Sequence, residues 1–272
     1  MCKALSFLVL FMTFFFAACC KQTDNRRTLI VAHRGASYLA PENTVASTKL
    51  AFEKGADISE IDVYLSKDNR IMVLHDETTK RTSGVDLKVS ETDSETLRTL
   101  DVGKFKSEAY AGEKIPFIEE IINVIPEGKK LFIEIKCGPE IAPYLRQVIE
   151  TGGKKEQMVI ISENLDAMTA CKKLMPYIPM YWIKETQKDI KTGCYQPYDI
   201  SIIEQAVGNG LAGLDLHYEG LNKVFIQRAH KAGLKIYVWT VDDVHEAKRM
   251  MEYGVNGITT DMPGAMRAEL KI

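Results

Sequence analysis

The pattern that most constrains the fold is an alternation of eight short apolar runs with seven longer amphipathic segments. The apolar runs have the length of β-strands and cover residues 28–33, 57–63, 131–136, 157–162, 178–182, 211–216, 235–240 and 257–260. Helical patterns occupy residues 43–54, 118–125, 140–151, 165–175, 201–208, 222–232 and 244–253. Strands that alternate with helices form parallel sheets, and eight repeats favour a closed barrel. The sequence therefore predicts an α/β fold of the (β/α)8, or TIM-barrel, type over residues 28–272.

A ninth apolar run, residues 71–75, interrupts this repeat. Only the polar residues 66–70 separate it from the second strand, and no crossover helix fits in so short a connection. We therefore expect an antiparallel β-hairpin after the second strand. A turn centred on Asp68 and Asn69 would place His75 opposite Asp62.

The segment 77–115 is polar and has no strong periodicity. It is too long for a simple barrel loop, since most connections in compact domains have roughly four to six residues. We expect it to form a small inserted cap over the barrel mouth, the end at which the strands finish. Leu97, Leu100 and Phe105 are the candidates for the core of this cap.

The N-terminus has the pattern of a secretory signal, which we assign to residues 1–19. Lys3 supplies a positive charge, and the apolar run of residues 5–18 is shorter than the ~20 residues of a membrane span. Small residues directly before Cys19 resemble a bacterial lipobox. The sequence thus predicts an exported lipoprotein, periplasmic or at the cell surface, lipidated at Cys19 or alternatively at Cys20, with residues 20–27 as a polar tether. A buried N-terminal helix is the alternative.

Charge and cysteine content exclude some classes of partner. The formal net charge is −2, which gives no bulk reason to expect nucleic acid or an anionic membrane surface as a partner. Membrane contact is expected only through the lipid anchor. Cys137, Cys171 and Cys194 have no zinc-site or redox spacing, so they are interpreted as free thiols or as one disulfide and a thiol.

Acidic residues recur at a spacing of two in two of the predicted strands. Glu60 and Asp62 share one face of the second strand, and Glu134 and Lys136 share one face of the third. Carboxylates that converge inside a barrel are costly to bury unless a divalent cation lies between them. We predict that Glu60, Asp62 and Glu134 bind Ca²⁺ or Mg²⁺. A simple ion pair between Glu134 and Lys136 is the alternative.

Histidine and basic side chains are expected near the same acids. His33 and Arg34 end the first strand, where a barrel places its active face. The predicted hairpin brings His75 to the second strand. Two imidazoles can take and give the protons of a phosphoryl transfer, while Arg34 and Lys136 hold phosphoryl oxygens. The alternative for His33 is a satisfied core histidine.

These residues, in this order, resemble the glycerophosphodiester phosphodiesterase family. The similarity extends from about residue 28 to 263. The matching motifs are His33-Arg34-Gly35, Glu42-Asn43-Thr44, Glu60-Ile61-Asp62, His75-Asp76, Glu134-Ile135-Lys136, Trp239-Thr240 and Ile258-Thr259-Thr260-Asp261-Met262-Pro263. The inserted segment 77–115 also matches a cap seen in the family.

The resemblance implies an enzyme that hydrolyses glycerophosphodiesters to glycerol 3-phosphate and an alcohol, through a cyclic phosphate that water opens. It makes His33 the general base and His75 the general acid. The implied metal ligands are Glu60, Asp62 and Glu134, and the substrate is expected to contact Arg34, Glu42 and Lys136. Trp239 ends a strand at the mouth, so we expect it to line the substrate site, with a core position as the alternative.

One position departs from the family pattern, because Asp242 stands where the family usually has Asn. We expect Asp242 to cap the helix that follows it. Asp261 and Pro263 are expected to shape the last loop. His217, at another strand end, is a further residue that could contact substrate.

Two rival functions remain from the sequence. A phospholipase of the C or D type could share the barrel and the histidines, but its lipid would need an apolar rim at the mouth, and residues 77–115 are polar. A binding lipoprotein could keep the barrel without catalysis, but it would be expected to have lost some of the five histidine and acidic residues.

Overall fold

Residues 27–272 are described by a computed structural model. The predicted signal peptide, Cys19 and Cys20 lie outside the described residues. The strands, in chain order, are β1 (Leu29–Ala32), β2 (Ile58–Leu65), β3 (Ile71–Val73), β4 (Lys130–Ile135), β5 (Met158–Ser162), β6 (Met180–Lys184), β7 (Gly213–His217), β8 (Lys235–Trp239) and β9 (Gly257–Thr260). The helices are α1 (Val45–Glu53), α2 (Lys80–Ser83), α3 (Ser94–Leu97), α4 (Ile118–Val124), α5 (Ala142–Thr151), α6 (Leu165–Leu174), α7 (Ser201–Gly208), α8 (Lys223–Lys231), α9 (Val244–Tyr253) and α10 (Pro263–Leu270).

Eight parallel strands close into a barrel. The sheet runs β1-β9-β8-β7-β6-β5-β4-β2-β3, and a further parallel pairing of β1 with β2 closes the ring. β3 lies outside the ring as the antiparallel partner of β2. The predicted (β/α)8 barrel with a hairpin after its second strand is therefore confirmed.

Side chains alternate along each strand between two hydrophobic cores, one between the barrel and its helices and one inside the barrel. Side chains that point outward, such as Ile61, Ile133 and Leu214, pack under the helices. Side chains that point inward include three aromatic rings, Phe132, Tyr181 and Tyr237. Tyr181 and Tyr237 stack with ring centroids 5.1 Å apart, and Phe132 meets Tyr237 edge-on at 5.0 Å. These rings fill the barrel below the mouth and give the site an apolar floor.

The hairpin turn is one residue longer than predicted. Val63 pairs with Val73, and the Ser66 N–H donates to the Arg70 carbonyl over 2.9 Å, which leaves a three-residue loop. Asn69 adopts a left-handed backbone with φ 62°. Such a residue is usual at the end of a three-residue hairpin loop and shifts the register by one.

The predicted pairing of His75 with Asp62 is consequently wrong. β3 ends at Val73, and the Leu74 N–H donates to the Asp62 carbonyl over 3.1 Å. His75 follows in an irregular segment, so its position depends on side-chain contacts rather than on the strand ladder.

The inserted segment packs against the hairpin around its own small core. Its buried side chains are Met72, Leu74, Val89, Leu97, Val102 and Ile115. Leu97 is buried and Leu100 packs against the cluster, as predicted. Phe105 is 44% exposed, so its assignment to this core was wrong. It lies in a turn closed by a hydrogen bond from Lys106 to Gly103, and Val102 and Ile115 fill the core instead.

Cys137, Cys171 and Cys194 carry free thiols, so the alternative of a disulfide among them is not observed. Within residues 27–272, no helix has both the length and the apolar character needed to cross a membrane.

Candidate active site

Three carboxylates meet at the mouth of the barrel. β2 and β4 are neighbours in parallel register, with Asp62 level with Glu134, and Glu60 lies two residues before Asp62 on the same inward face. One oxygen from each of the three lies within 4.8 Å of the others. The predicted convergence of Glu60, Asp62 and Glu134 is confirmed.

The electrostatics of this cluster suit a cation. Burial raises the pKa of Glu60 well above its usual range, and repulsion from Asp62 and Glu134 adds to the effect. Burial, and then repulsion from Asp62, raise the pKa of Glu134 to about 7. One Glu60 oxygen is buried without a hydrogen-bond partner in the described part of the chain. An all-oxygen donor set with an unpaired buried oxygen fits a hard divalent cation such as Ca²⁺ or Mg²⁺.

Two residues with strained backbones hold these acids in place. The Arg34 backbone N–H donates to the Glu60 carboxylate over 2.7 Å. The Asn43 side-chain amide donates to the Asp62 carboxylate over 2.8 Å, and its oxygen accepts from the Asp62 backbone N–H over 3.0 Å. Arg34 has φ 53° and Asn43 has φ 58°. Non-glycine residues in this left-handed region cost about 1–3 kcal/mol each and cluster at functional sites.

The His33 ring is held by a carboxylate. Its Nδ1 lies 2.7 Å from an oxygen of Asp261, which also accepts a hydrogen bond from Ser37 over 3.0 Å. Burial alone would raise the pKa of Asp261, but the hydrogen bonds from His33 and Ser37 and the nearby charges lower it. Asp261 therefore stays charged and orients the imidazole. We expected Asp261 to shape the last loop, and its carboxylate in addition contacts the His33 ring.

Asp242 supports Asp261 and does not cap the helix after it. Its carboxylate accepts from the Thr260 hydroxyl (2.7 Å) and the Asp261 N–H (2.9 Å). Asp243 instead caps α9, accepting from the N–H groups of His245 and Glu246. The predicted cap was therefore one residue off, because the Asp242 side chain turns towards β9.

The His75 ring belongs to a chain of charged contacts. Its Nδ1 lies 2.7 Å from Asp76, and Asp76 accepts from Arg81 over 2.7 Å. Arg81, on helix α2 of the insertion, donates to both oxygens of Glu42 over 2.7 and 2.8 Å. Glu42 in turn accepts from Arg34 over 3.0 Å. The contacts thus tie the second imidazole to the arginine that holds the acids.

A cavity of about 140 Å³ lies between the two histidines and the acidic cluster. Of the residues singled out in the sequence, it is lined by His33, Arg34, Glu60, His75, Glu134, Lys136 and Trp239. Lys136 donates to Glu134 over 2.7 Å, so the ion pair left as an alternative is also present. Glu42 does not line this cavity. Its carboxylate contacts Arg34 and Arg81, so any influence of Glu42 on substrate would pass through these two arginines. His217 lies beside the site, packed edge-on against Trp239.

Sequence reasoning missed several residues of the site. Asp261 directly follows β9, as His33 follows β1, so the strand-end rule that singled out His33 could have found it. Asp76 directly follows His75 and was noted only as part of a motif. Arg81 could not be found in this way, because its contacts depend on how the insertion folds onto the barrel.

Comparisons with known protein families, relatives and solved structures assign the chain to a family. A profile of the glycerophosphoryl diester phosphodiesterase family matches residues 33–265. A glycerophosphodiester phosphodiesterase of Caldanaerobacter subterraneus is 34% identical over 242 residues, covering 87% of this chain and 95% of the relative. The solved structure of an Oleispira antarctica phosphodiesterase in complex with the product sn-glycerol-3-phosphate matches with a TM-score of 0.82 at 27% identity, covering 90% of this chain and 97% of that one.

The barrel and its mouth thus define a phosphoric diester hydrolase. The chain belongs to the glycerophosphoryl diester phosphodiesterase family, as the ordered motifs predicted. It is an enzyme of the glycerophosphodiester phosphodiesterase class, and the alternative of a non-catalytic binding protein is not supported.

The crowded acids predict a pH-dependent stability of the metal-free protein. The pKa of Glu134 is raised to about 7 from an ordinary 4.5. A raised carboxyl pKa stabilises the folded state fully below the ordinary value, and this contribution is lost as the pH rises through the folded value. In EDTA, we expect the melting temperature to fall between about pH 5 and about pH 8, and to fall less in Glu134→Gln.

The matched control is Glu252→Gln, which removes an exposed acid of α9 and should keep the wild-type profile. Added Mg²⁺ or Ca²⁺ should raise the melting temperature more at the higher pH, because ligand carboxylates bind in their charged form. Identical pH profiles for wild type and Glu134→Gln would contradict this account of the cluster.

Proposed function

We propose that this enzyme hydrolyses glycerophosphodiesters to glycerol 3-phosphate and an alcohol, with one divalent cation and with His33 and His75 as the acid–base pair. The observation that carries the proposal is a single cavity lined by both histidines, Glu60, Glu134, Arg34 and Lys136. Each imidazole has its Nδ1 on a carboxylate, Asp261 or Asp76.

The contacts with these two carboxylates indicate which ring nitrogen of each histidine would transfer the proton. A ring whose Nδ1–H donates to a carboxylate presents Nε2 as the free nitrogen, and the carboxylate stabilises the ring when it becomes charged. His33 would take the proton of the attacking hydroxyl, the glycerol hydroxyl next to the phosphate. His75 would give a proton to the oxygen of the leaving alcohol. The two would exchange these tasks when water opens the resulting cyclic phosphate.

Arg34 and Lys136 supply the positive charge that this chain itself contributes. The Arg34 Nε lies 3.4 Å from Asp62, and the Lys136 Nζ lies 3.7 Å from the other oxygen of the same carboxylate. Both cations therefore border the acidic cluster, where they can bind phosphoryl oxygens. A cation held by Glu60, Asp62 and Glu134 would neutralise the acids and polarise the phosphoryl group. Ca²⁺ and Mg²⁺ both suit these oxygen ligands.

A substrate panel tests the activity. We expect metal-treated wild type to release glycerol 3-phosphate from glycerophosphocholine, EDTA to stop turnover, and one of the two metals to restore it better. His33→Ala and His75→Ala should lower kcat by about 100-fold or more, because general acid–base groups typically contribute 10²–10⁴-fold. His245→Ala, a change in α9 outside the cavity, should leave kcat unchanged.

The same panel separates the phospholipase rival. Lysophosphatidylcholine and intact phosphatidylcholine should be poorer substrates than glycerophosphocholine. Faster hydrolysis of either lipid would move the assignment to a phospholipase. Full activity of either histidine variant, with its folding verified by circular dichroism, would refute the assigned roles.

We also propose that the enzyme is exported and anchored through a lipid on Cys19, in the periplasm or at the cell surface. The support is the apolar run of residues 5–18 followed by small residues and cysteine. The mass of the mature N-terminal peptide from membranes of the source bacterium would identify the modified residue. A lipidated Cys19 is expected, whereas an unprocessed Met1 in that peptide would rule the proposal out.

A further inference from the structure

Asp215 faces the acidic cluster from the far wall of the barrel. On β7, Leu214 and Leu216 point outward into the core under the helices, so Asp215 points inward. In the closed ring of eight strands, β7 is four strands from β2 in either direction. Asp215 therefore lies across the barrel from β2, and it lines the same cavity as Glu60.

Asp215 is buried with unsatisfied hydrogen-bonding capacity. It is 3% exposed, and its Oδ1 has no hydrogen-bond partner among residues 27–272. The Thr259 hydroxyl on β9 also lines the cavity, buried and unpaired within the same range. A buried polar atom without a partner is unfavourable, so two of them in one cavity indicate a ligand that supplies the missing bonds.

Trp239 lies between the Asp215 carboxyl and the Thr259 hydroxyl, and its indole N–H already has a hydrogen-bond partner. It lies on β8, between β7 and β9 in the sheet, and its Nε1 donates to the Asp215 carbonyl over 3.2 Å. Ile161 and Ile183 complete the apolar part of the cavity wall. The Asp215 carboxyl and the Thr259 hydroxyl thus lie beside the apolar surface of Trp239, Ile161 and Ile183, which suits a short aliphatic alcohol, and the Glu163 carboxylate also lines the cavity.

Hydrogen bonding favours a hydroxyl over a quaternary ammonium at this wall. The Asp215 and Thr259 oxygens that lack partners among residues 27–272 can bond an alcohol hydroxyl, which both donates and accepts, whereas a quaternary ammonium offers no hydrogen bond.

We propose that Asp215 and Thr259 form a subsite for the glycerol end of the substrate, in which the Asp215 carboxyl hydrogen-bonds the glycerol hydroxyl farthest from the phosphate. The inference rests on the proposed function. In this arrangement the glycerol spans the cavity. Its hydroxyl next to the phosphate faces His33, and its terminal hydroxyl reaches Asp215. Asp215 is then a determinant of substrate specificity and takes no part in proton transfer.

The test compares glycerophosphocholine with 2-hydroxypropyl phosphocholine, which keeps the attacking hydroxyl and lacks only the terminal one. Wild type should prefer glycerophosphocholine by at least about 100-fold in kcat/KM, because a site built to bond a hydroxyl rejects an analogue without it. In Asp215→Leu this preference should fall to about threefold or less, mainly by loss of glycerophosphocholine turnover. Asp215→Asn, which retains polar groups of the same shape, should keep most of it.

Thr259→Val should reduce the preference by a smaller factor. Thr48→Val is the matched control, because the buried Thr48 hydroxyl in α1 also has no partner within the described part of the chain and does not line the cavity. It should leave the preference unchanged. Circular dichroism and melting temperature verify that each variant folds.

Three results would overturn the subsite. In the first, Asp215→Leu and Asp215→Asn lower kcat/KM for both substrates equally, which indicates a structural role only. In the second, Asp215→Leu leaves the preference intact and changes the ratio between glycerophosphocholine and glycerophosphoethanolamine, which assigns this wall to the head group. In the third, a folded, metal-supplied wild type hydrolyses no glycerophosphodiester, which overturns the proposed activity and the subsite with it.

Discussion

Glu60, Asp62 and Glu134 bring their oxygens within 4.8 Å of one another at the mouth of the barrel, and like charges this close repel strongly. The surrounding contacts offset that repulsion. Asn43 fixes Asp62 by two hydrogen bonds, and Arg34 reaches both Glu60 and Asp62. One Glu60 oxygen still has no hydrogen-bond partner among the residues that the structure describes, and a bound cation would satisfy it.

The insertion is part of this arrangement and not only a cover for the mouth. Arg81 on α2 contacts Asp76, which holds His75, and Glu42, which holds Arg34. A displacement of α2 would therefore disturb one imidazole and one phosphate-binding cation together. On the opposite side, Asp261 and Asp242 hold His33 through the end of β9. The two imidazoles are thus oriented by different parts of the chain, one by the barrel and one by the insertion.

The barrel and much of its site could be predicted because both depend on strand periodicity. A period of two places Glu60 and Asp62 on one face, and parallel register then brings Glu134 beside them. The hairpin register could not be predicted in this way, because it depends on the left-handed Asn69 and the extra loop residue it allows. Phe105 was misplaced for a related reason, since the insertion has no periodicity to show which side chains are buried.

The central claim is that one cation binds between Glu60, Asp62 and Glu134. Its position is measured most directly by anomalous diffraction from crystals soaked in Mn²⁺, which substitutes for Mg²⁺ or Ca²⁺. The account predicts one ion per chain, about 2.0–2.6 Å from an oxygen of each of Glu60, Asp62 and Glu134. An ion bound elsewhere, or a cavity that stays free of metal while the enzyme in the crystal remains active, would contradict it.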